Sequence, residues 1–258
     1  MATFKAEEID SIVQDINDSG YGLTFGLHTR IDDRVEQVTS KLDVGNIYVN
    51  RNQIGAIVGT QPFGGEGLSG TGPKAGGPHY VNRFVKRPLP LHEVLSGDAV
   101  AKDKVQSALD AVVRPAREAI QAHELPGPTG ESNRLGIFAK GTVLCLGPSF
   151  EDVQRQKDIA HTMGCSTLVV VPGDRSEGSI DGFLDREHLA HLENFDAVAL
   201  WSEQNDLALA RKALSRRQGV IIPLIATDDM KDLCILERHI CIDTTAAGGN
   251  ASLLAAQT

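Results

Sequence analysis

Apolar positions recur at helical spacing near the start of the chain. Ile9, Ile12, Val13 and Ile16 fall on one face, so Lys5–Asn17 is predicted as an amphipathic helix. Ser19-Gly20-Tyr21-Gly22 ends it. Leu23–His28 reads as a short strand. A second helix starts at Asp32 or Asp33 and runs through Val35, Val38 and Leu42, followed by a strand over Val44–Asn50. The pattern then lapses. Val100–His123 regains helical character as one helix or a pair interrupted near Pro115, and Leu125–Glu131, LPGPTGE, reads as a shaped loop. From Thr142 apolar strands alternate regularly with helices. Strands are predicted at Val143–Leu146, Thr167–Val171, Ala197–Trp201, Val220–Ile225 and His239–Asp243. Helices are predicted at Glu151–Met163, Leu184–Leu192 and Asn205–Arg217, with a helical turn or two in Asp228–Glu237. Strands without polar alternation, separated by helices, indicate a parallel sheet covered on both faces.

The lapse itself is informative. Gln61–Pro78, QPFGGEGLSGTGPKAGGP, has glycine at seven of eighteen positions. Such a run holds neither helix nor central strand and suits a backbone that turns at positive φ or is closely approached. It reads as a shaped loop at a site. Gly65-Glu-Gly-Leu-Ser-Gly70 spells G-x-G-x-x-G, but Pro62 precedes it and Gly72-Pro73 follows, so the strand and helix that a dinucleotide fingerprint needs are lacking. Thr71 excludes a nucleophile elbow at Ser69, and Lys74 follows no P-loop pattern.

The 258 residues allow one large or two modest domains. A net charge of −9 argues against a nucleic-acid partner or an anionic membrane surface. No apolar run approaches the ~18 residues of a membrane span. The start lacks a signal pattern, so the expected location is the cytoplasm. The four cysteines, Cys145, Cys165, Cys234 and Cys241, have no CxxC spacing and read as free buried thiols. Residues 1 to 144 contain none. His188 and His191 have a spacing a metal pair permits, but no third ligand is evident and a solvated face accounts for them; no metal site is expected. The first strand of the alternating region ends in Gly147-Pro148-Ser149-Phe150 rather than a Gly-rich turn. The second offers only Asp174 as a ribose-binding acid, so a sheet domain without cofactor is the favoured reading. The Ala/Gly-rich tail suits either a segment threading into a crowded groove or a disordered terminus.

YGLTFGLHTR, VGNIYVNRN and QPFGGEGLSGTGPKAGGP together resemble the C-terminal end of the aldehyde dehydrogenase module in the proline utilisation A family. LPGPTGESNR, VLCLGP and DTTAAGGNASLLA resemble the extra C-terminal domain of its longer members. The resemblance implies an α/β fold. Residues 1–90 would form the end of the aldehyde dehydrogenase module, 91–141 a helical linker and loop, 142–243 a degenerate Rossmann-like domain of structural role, and 244–258 a tail closing over the substrate tunnel. It implies a whole-protein activity: NAD-dependent oxidation of L-glutamate γ-semialdehyde, with FAD confined to a separate proline dehydrogenase module. By the same resemblance Gly55 and Ala56 anchor the substrate carboxylate through main-chain amides, and Phe63 walls the aldehyde pocket. The residues alone read as a turn and a core aromatic. The family's catalytic cysteine, general-base glutamate and NAD-gripping domain match nothing here. No catalytic residue is therefore assigned, NAD is not expected to bind the chain alone, and the isolated chain is expected to be inactive. The expected partners are an upstream dehydrogenase portion and the small-molecule substrate. The alternatives are a non-enzymatic module complementing a separately encoded dehydrogenase half, and a small nucleotide-binding α/β protein.

Overall fold

A computed structural model describes residues 5–53, 56–85 and 97–245. In chain order, α1 is Ile9–Asp18, β1 Tyr21–Gly22, β2 Thr24–Leu27, α2 Asp32–Thr39, β3 Asn46–Val49 and β4 Glu66–Gly67. Next come α3 at Lys102–Ala111, β5 at Ala119–Leu125, β6 at Glu131–Ala139 and β7 at Thr142–Cys145. The remainder is α4 at Phe150–Thr162, β8 at Ser166–Val171, β9 at Ser179–Asp181, β10 at Ala197–Ala199, α5 at Gln204–Leu214, β11 at Leu224–Ile225 and β12 at Ile235–Asp243. The chain divides into two compact units. One comprises Met1–Phe84, Gln121–Ile137 and Glu237–Thr258; the other comprises Val85–Ile120 and Phe138–Leu236.

The first unit is built on a sheet of order β2-β3-β12-β6-β5. β2 and β12 both run parallel to β3, and their register sorts side chains by chemistry. Phe25 and Leu27 align with Ile47 and Val49, which align in turn with Ile240 and Ile242. That face is apolar and packs against Ile9 and Val13 of α1 and Val38 of α2. Burying each such side chain contributes about 2 kcal/mol. The intervening residues, Asn46 and Tyr48 of β3 and His239 and Cys241 of β12, share the opposite face and are fully buried. The Gly-rich stretch lies over this polar face: the Lys74 main-chain N–H donates to Glu237 of β12 at 2.8 Å, and Asn46 donates to the Pro62 carbonyl at 2.8 Å. Phe63 and Ala75 form an antiparallel bridge, and β4 pairs antiparallel with β1. Glycine is required where backbones meet: a Cβ on Gly45 would lie 2.1 Å from the Gly64 carbonyl oxygen. Gly67 turns at φ +61.

The second unit holds a wholly parallel sheet of order β11-β10-β7-β8-β9. Numbered by chain order within the sheet, this is the 3-2-1-4-5 arrangement of a doubly wound nucleotide-binding half. Its central strands are buried on both sides. Leu144, Leu168 and Val198 face Val105, Leu109 and Leu207. Val143, Cys145, Val169 and Ala199 face Val153, Ala160 and Trp201. α4 opens with a reciprocal cap. Ser149 Oγ accepts from Asp152 N at 3.1 Å, and the Asp152 carboxylate accepts from Ser149 N at 3.3 Å.

Several sequence-based assignments need correction. Ala119–Leu125 is a strand, not the end of a helix. AIQAHEL is compatible with a helix, but hydrogen bonding at the edge of the first sheet decides its conformation. With β6 following, residues 91–141 are not simply a helical linker and loop. LPGPTGE joins β5 to β6, with Gly130 at φ +87. His239–Asp243 does not continue the parallel series from Val143; it sits between β3 and β6 of the first sheet. The helix expected in Leu184–Leu192 is a 3-10 turn at Arg186–Ala190, and Asp228–Glu237 contains only a 3-10 turn at Lys231–Leu233. The tail lies outside the described residues from 246 onward. Among the described residues no helix is long and apolar enough to cross a membrane.

Candidate functional site

The buried charge of the first unit gathers around Lys74, Glu66, Glu237 and Arg238. Lys74 is 2% exposed, and Nζ donates to Asn46 Oδ1 at 3.0 Å and to the Gly64 carbonyl. Burial lowers its ammonium to about 8, against the opposing pull of Glu237 and Glu66. Arg238 reaches Asp43 at 2.8 Å and Glu66 at 2.9 Å. Burial raises the Glu66 carboxyl despite Arg238. His79 Nδ1 lies 2.8 Å from Glu237. His239 is fully buried, and among the described residues neither ring nitrogen has a well-formed hydrogen bond. Burial, and then the Lys74 charge, lower it to about 4, so it is neutral at physiological pH.

Beside this cluster lies the segment that carries the predicted anchor. Gly55 falls outside the described residues. Ala56 is exposed, directly before a turn in which the Ile57 carbonyl accepts from Thr60 N at 3.1 Å and Gln61 N at 2.7 Å. Gly59 N donates to the Gly76 carbonyl at 3.0 Å, holding the turn to the Gly-rich stretch. Phe63 is half-buried, its main chain fixed on Ala75. Ile57 and Val58 are exposed, so the turn presents its tip to solvent. The base of the segment is buried. Arg51 pairs with Glu131 and donates to Cys241 Sγ at 2.9 Å. Gln61 Nε2 donates to Glu131 Oε1 at 2.8 Å. Sequence reasoning singled out the LPGPTGE loop but not its terminal glutamate, and it took Cys241 only as a buried thiol. Nothing in local spacing links residues 51, 61, 131 and 241. A buried-face acid following a Gly-Pro turn was the one available signal.

All four cysteines are free and buried, as the sequence predicted. Burial raises Cys145 beyond the reach of neutral-pH chemistry and Cys241 to about 11. Cys165 is lowered to about 7 by its hydrogen bond with Cys234, yet it is 4% exposed. None is an accessible nucleophile. Among the described residues no group of three or more side chains is arranged to hold a metal ion, and His188 and His191 gain no third ligand.

The second unit's topology places a ligand crevice at the carboxyl ends of β7 and β10. Its residues do not fit a dinucleotide. Gly147 N and O are both taken by the Gln156 amide, at 3.2 and 2.9 Å, and the same carbonyl accepts from Trp201 N at 2.8 Å. Trp201 is fully buried. The α4 N-terminus is closed by its own Ser149–Asp152 cap and carries Glu151, so negative charge occupies the place of a pyrophosphate.

Residues 1–87 match the model of the "Aldehyde dehydrogenase family". Over 97% of its length the chain is 36% identical to "Bifunctional protein PutA" of Escherichia coli (strain K12) and spans 22% of that protein. It thus covers about a fifth of this curated relative. "1-pyrroline-5-carboxylate dehydrogenase 1" of Halalkalibacterium halodurans is 47% identical over 31% of the chain, which covers 16% of that protein. The solved proline utilisation A of Corynebacterium freiburgense superposes on 92% of the chain with a TM-score of 0.57 at 22% identity, using 24% of its own length; that likeness speaks for the fold. The chain is therefore similar, over nearly its whole length, to a C-terminal portion of proline utilisation A, with an aldehyde dehydrogenase segment at residues 1–87.

Proposed function

We propose that the chain is part of an NAD-dependent L-glutamate γ-semialdehyde dehydrogenase of proline catabolism. Its own contribution is to bind and orient substrate. The main-chain amides of Gly55 and Ala56 hold the substrate carboxylate, where small side chains let an anion approach N–H groups closely. Phe63 forms an apolar wall for the aldehyde end. The nucleophilic cysteine and the general base come from sequence outside these 258 residues, as does the grip on NAD, which takes up the hydride in the complete enzyme. Residues 1–90 carry the substrate end, and the parallel-sheet unit supplies a structural domain without cofactor. The cytoplasm is the compartment this reading implies.

The observation that carries the proposal is the similarity along 97% of the chain to a bifunctional PutA protein. The exposed turn at Ala56, set on a buried base, is compatible with it. The test is an assay of NADH formation from L-glutamate γ-semialdehyde by the chain alone and by the chain combined with a dehydrogenase portion that carries the nucleophilic cysteine and the NAD-binding domain. The 258-residue chain alone is expected to give none and the combination to give sustained turnover. A combination that folds and binds NAD but does not oxidise the semialdehyde overturns the proposal.

A further inference from the structure

One carboxylate holds both ends of the segment that carries Ala56. Arg51 follows β3, and its guanidinium pairs with Glu131 Oε2. Gln61 closes the segment, and its Nε2 reaches Glu131 Oε1 at 2.8 Å. Asn133, two residues along β6, donates to the same Oε1 at 2.8 Å and fixes the carboxylate's rotation. Cys241 on β12 backs the arrangement, accepting from Arg51 at 2.9 Å and lying 3.6 Å from Gln61 Nε2. Gln61, Asn133 and Cys241 are buried to within 1%. Arg51 also lies over the Tyr48 ring, 5.7 Å from its centroid.

The consequence is mechanical and electrostatic. Both carboxylate oxygens are engaged, so Glu131 ties residue 51 to residue 61 beneath the exposed turn at Ala56–Gly59. It also neutralises Arg51, a cation placed next to the loop. An unpaired guanidinium there would draw a substrate carboxylate to itself and away from the main-chain amides. Deleting the carboxylate leaves the buried Gln61 amide without its acceptor, and its Oε1 already has no partner among the described residues. The base of the loop then has no single geometry.

We propose that Glu131 is a positioning residue for recognition of the carboxylate of an amino-acid semialdehyde: it fixes Arg51 and Gln61, which flank the turn that carries Ala56, and removes Arg51 as a competing anion site. The inference rests on the anchor reading given under the proposed function.

The test uses the chain combined with a dehydrogenase portion that carries the nucleophilic cysteine and the NAD-binding domain, as Glu131, Glu131→Gln and Glu131→Ala. Two aldehydes are compared, L-glutamate γ-semialdehyde and pentanal, which has no carboxylate. In Glu131→Ala, KM for the semialdehyde is expected to rise about tenfold with a smaller change in kcat. KM for pentanal is expected to stay within about twofold. Glutamine keeps an acceptor for Gln61 and Asn133 but loses the Arg51 pairing, so an intermediate KM is expected. Amide exchange at Ile57–Gln61 should quicken in Glu131→Ala while the amides of β3 stay protected. Equal losses on both aldehydes with exchange quickened throughout β3 make Glu131 a scaffold residue and overturn the inference. An unchanged KM for both overturns it as well. If the Glu131 protein itself does not prefer the carboxylate-bearing aldehyde, the anchor reading falls, and the inference with it.

Discussion

Arg186 and Asp206 meet in a buried two-point ion pair, Nε to Oδ1 at 2.8 Å and Nη2 to Oδ2 at 3.0 Å. Their side chains are 5% and 6% exposed. The guanidinium also donates to the Leu184 carbonyl at 2.9 Å and stacks 4.5 Å from the Phe183 ring centroid. The pair ties the 3-10 turn at Arg186–Ala190 to the first turn of α5. Its net worth against an apolar pair is small, but removing one partner strands a buried charge. Asp206→Ala is expected to lower the unfolding free energy by ~3–5 kcal/mol in urea titration followed by circular dichroism. The double variant Arg186→Met, Asp206→Leu should recover most of that loss. A single variant that loses less than the double contradicts this account.

His239 provides a pH signature. Its folded value of about 4 lies below the ordinary 6.5, so between these values the unfolded chain binds the extra proton. Stability contributed by the neutral ring is complete above pH 6.5 and falls as the pH drops toward 4. The full loss is ~3 kcal/mol. Glu131 acts in the same direction at lower pH. Burial pushes its carboxyl up, but hydrogen bonds from Asn133 and Gln61 and the Arg51 charge outweigh burial and leave it below 4.5. Unfolding midpoints measured from pH 7 to pH 4 should decline less steeply in His239→Gln than in the native chain. Identical slopes would place the acid sensitivity elsewhere.

Two glycines of the first unit should respond unequally to alanine. A Cβ at Gly45 meets backbone: Gly64 O at 2.1 Å and Gly65 Cα at 2.8 Å. Gly45→Ala is expected to cost ~2 kcal/mol or more, because the Gly-rich stretch must lift off the sheet. A Cβ at Gly26 meets Gln53 Nε2 at 2.2 Å, the end of an exposed flexible side chain that can swing aside. Gly26→Ala is expected to cost less than ~1 kcal/mol and to fit the strand. Thermal unfolding of the two variants side by side decides it.

The filled crevice of the second unit predicts a calorimetric result. With the Gly147 main chain held by Gln156 and acid at the α4 N-terminus, titration of NAD into the chain should give only heats of dilution. A saturable heat would locate a dinucleotide on these residues.

Local signals carried much of this architecture. The spacing of Ile9, Val13 and Ile16 gave α1, and the apolar runs at Val143, Thr167 and Ala197 lie in or beside β7, β8 and β10. Each of those elements is decided by its own residues. What was hidden depends on residues far apart. The edge strand β5 has no pattern of its own, being largely exposed, and takes its conformation from a neighbour. β12 follows the parallel series in sequence, and only its alternation of Glu237, His239 and Cys241 with Arg238, Ile240 and Ile242 distinguished it from the two-sided apolar strands. The Arg51–Glu131–Gln61 arrangement was illegible for the same reason, since burial and pairing arise only after the strands assemble. Ala56 and Phe63 were singled out by resemblance alone.

The position of β12 also sets an order of events. β3 forms from residues 46–49, yet its partner strand arrives about 190 positions later. The segment between them includes nearly all of the second unit, whose strands pair over shorter separations and need nothing from β12. During synthesis the parallel sheet can therefore close first, while Asn46, Tyr48 and the Gly-rich stretch wait with an open strand edge. A ribosome stalled before Glu237 would carry one finished half and one half exposed to pairing with other chains.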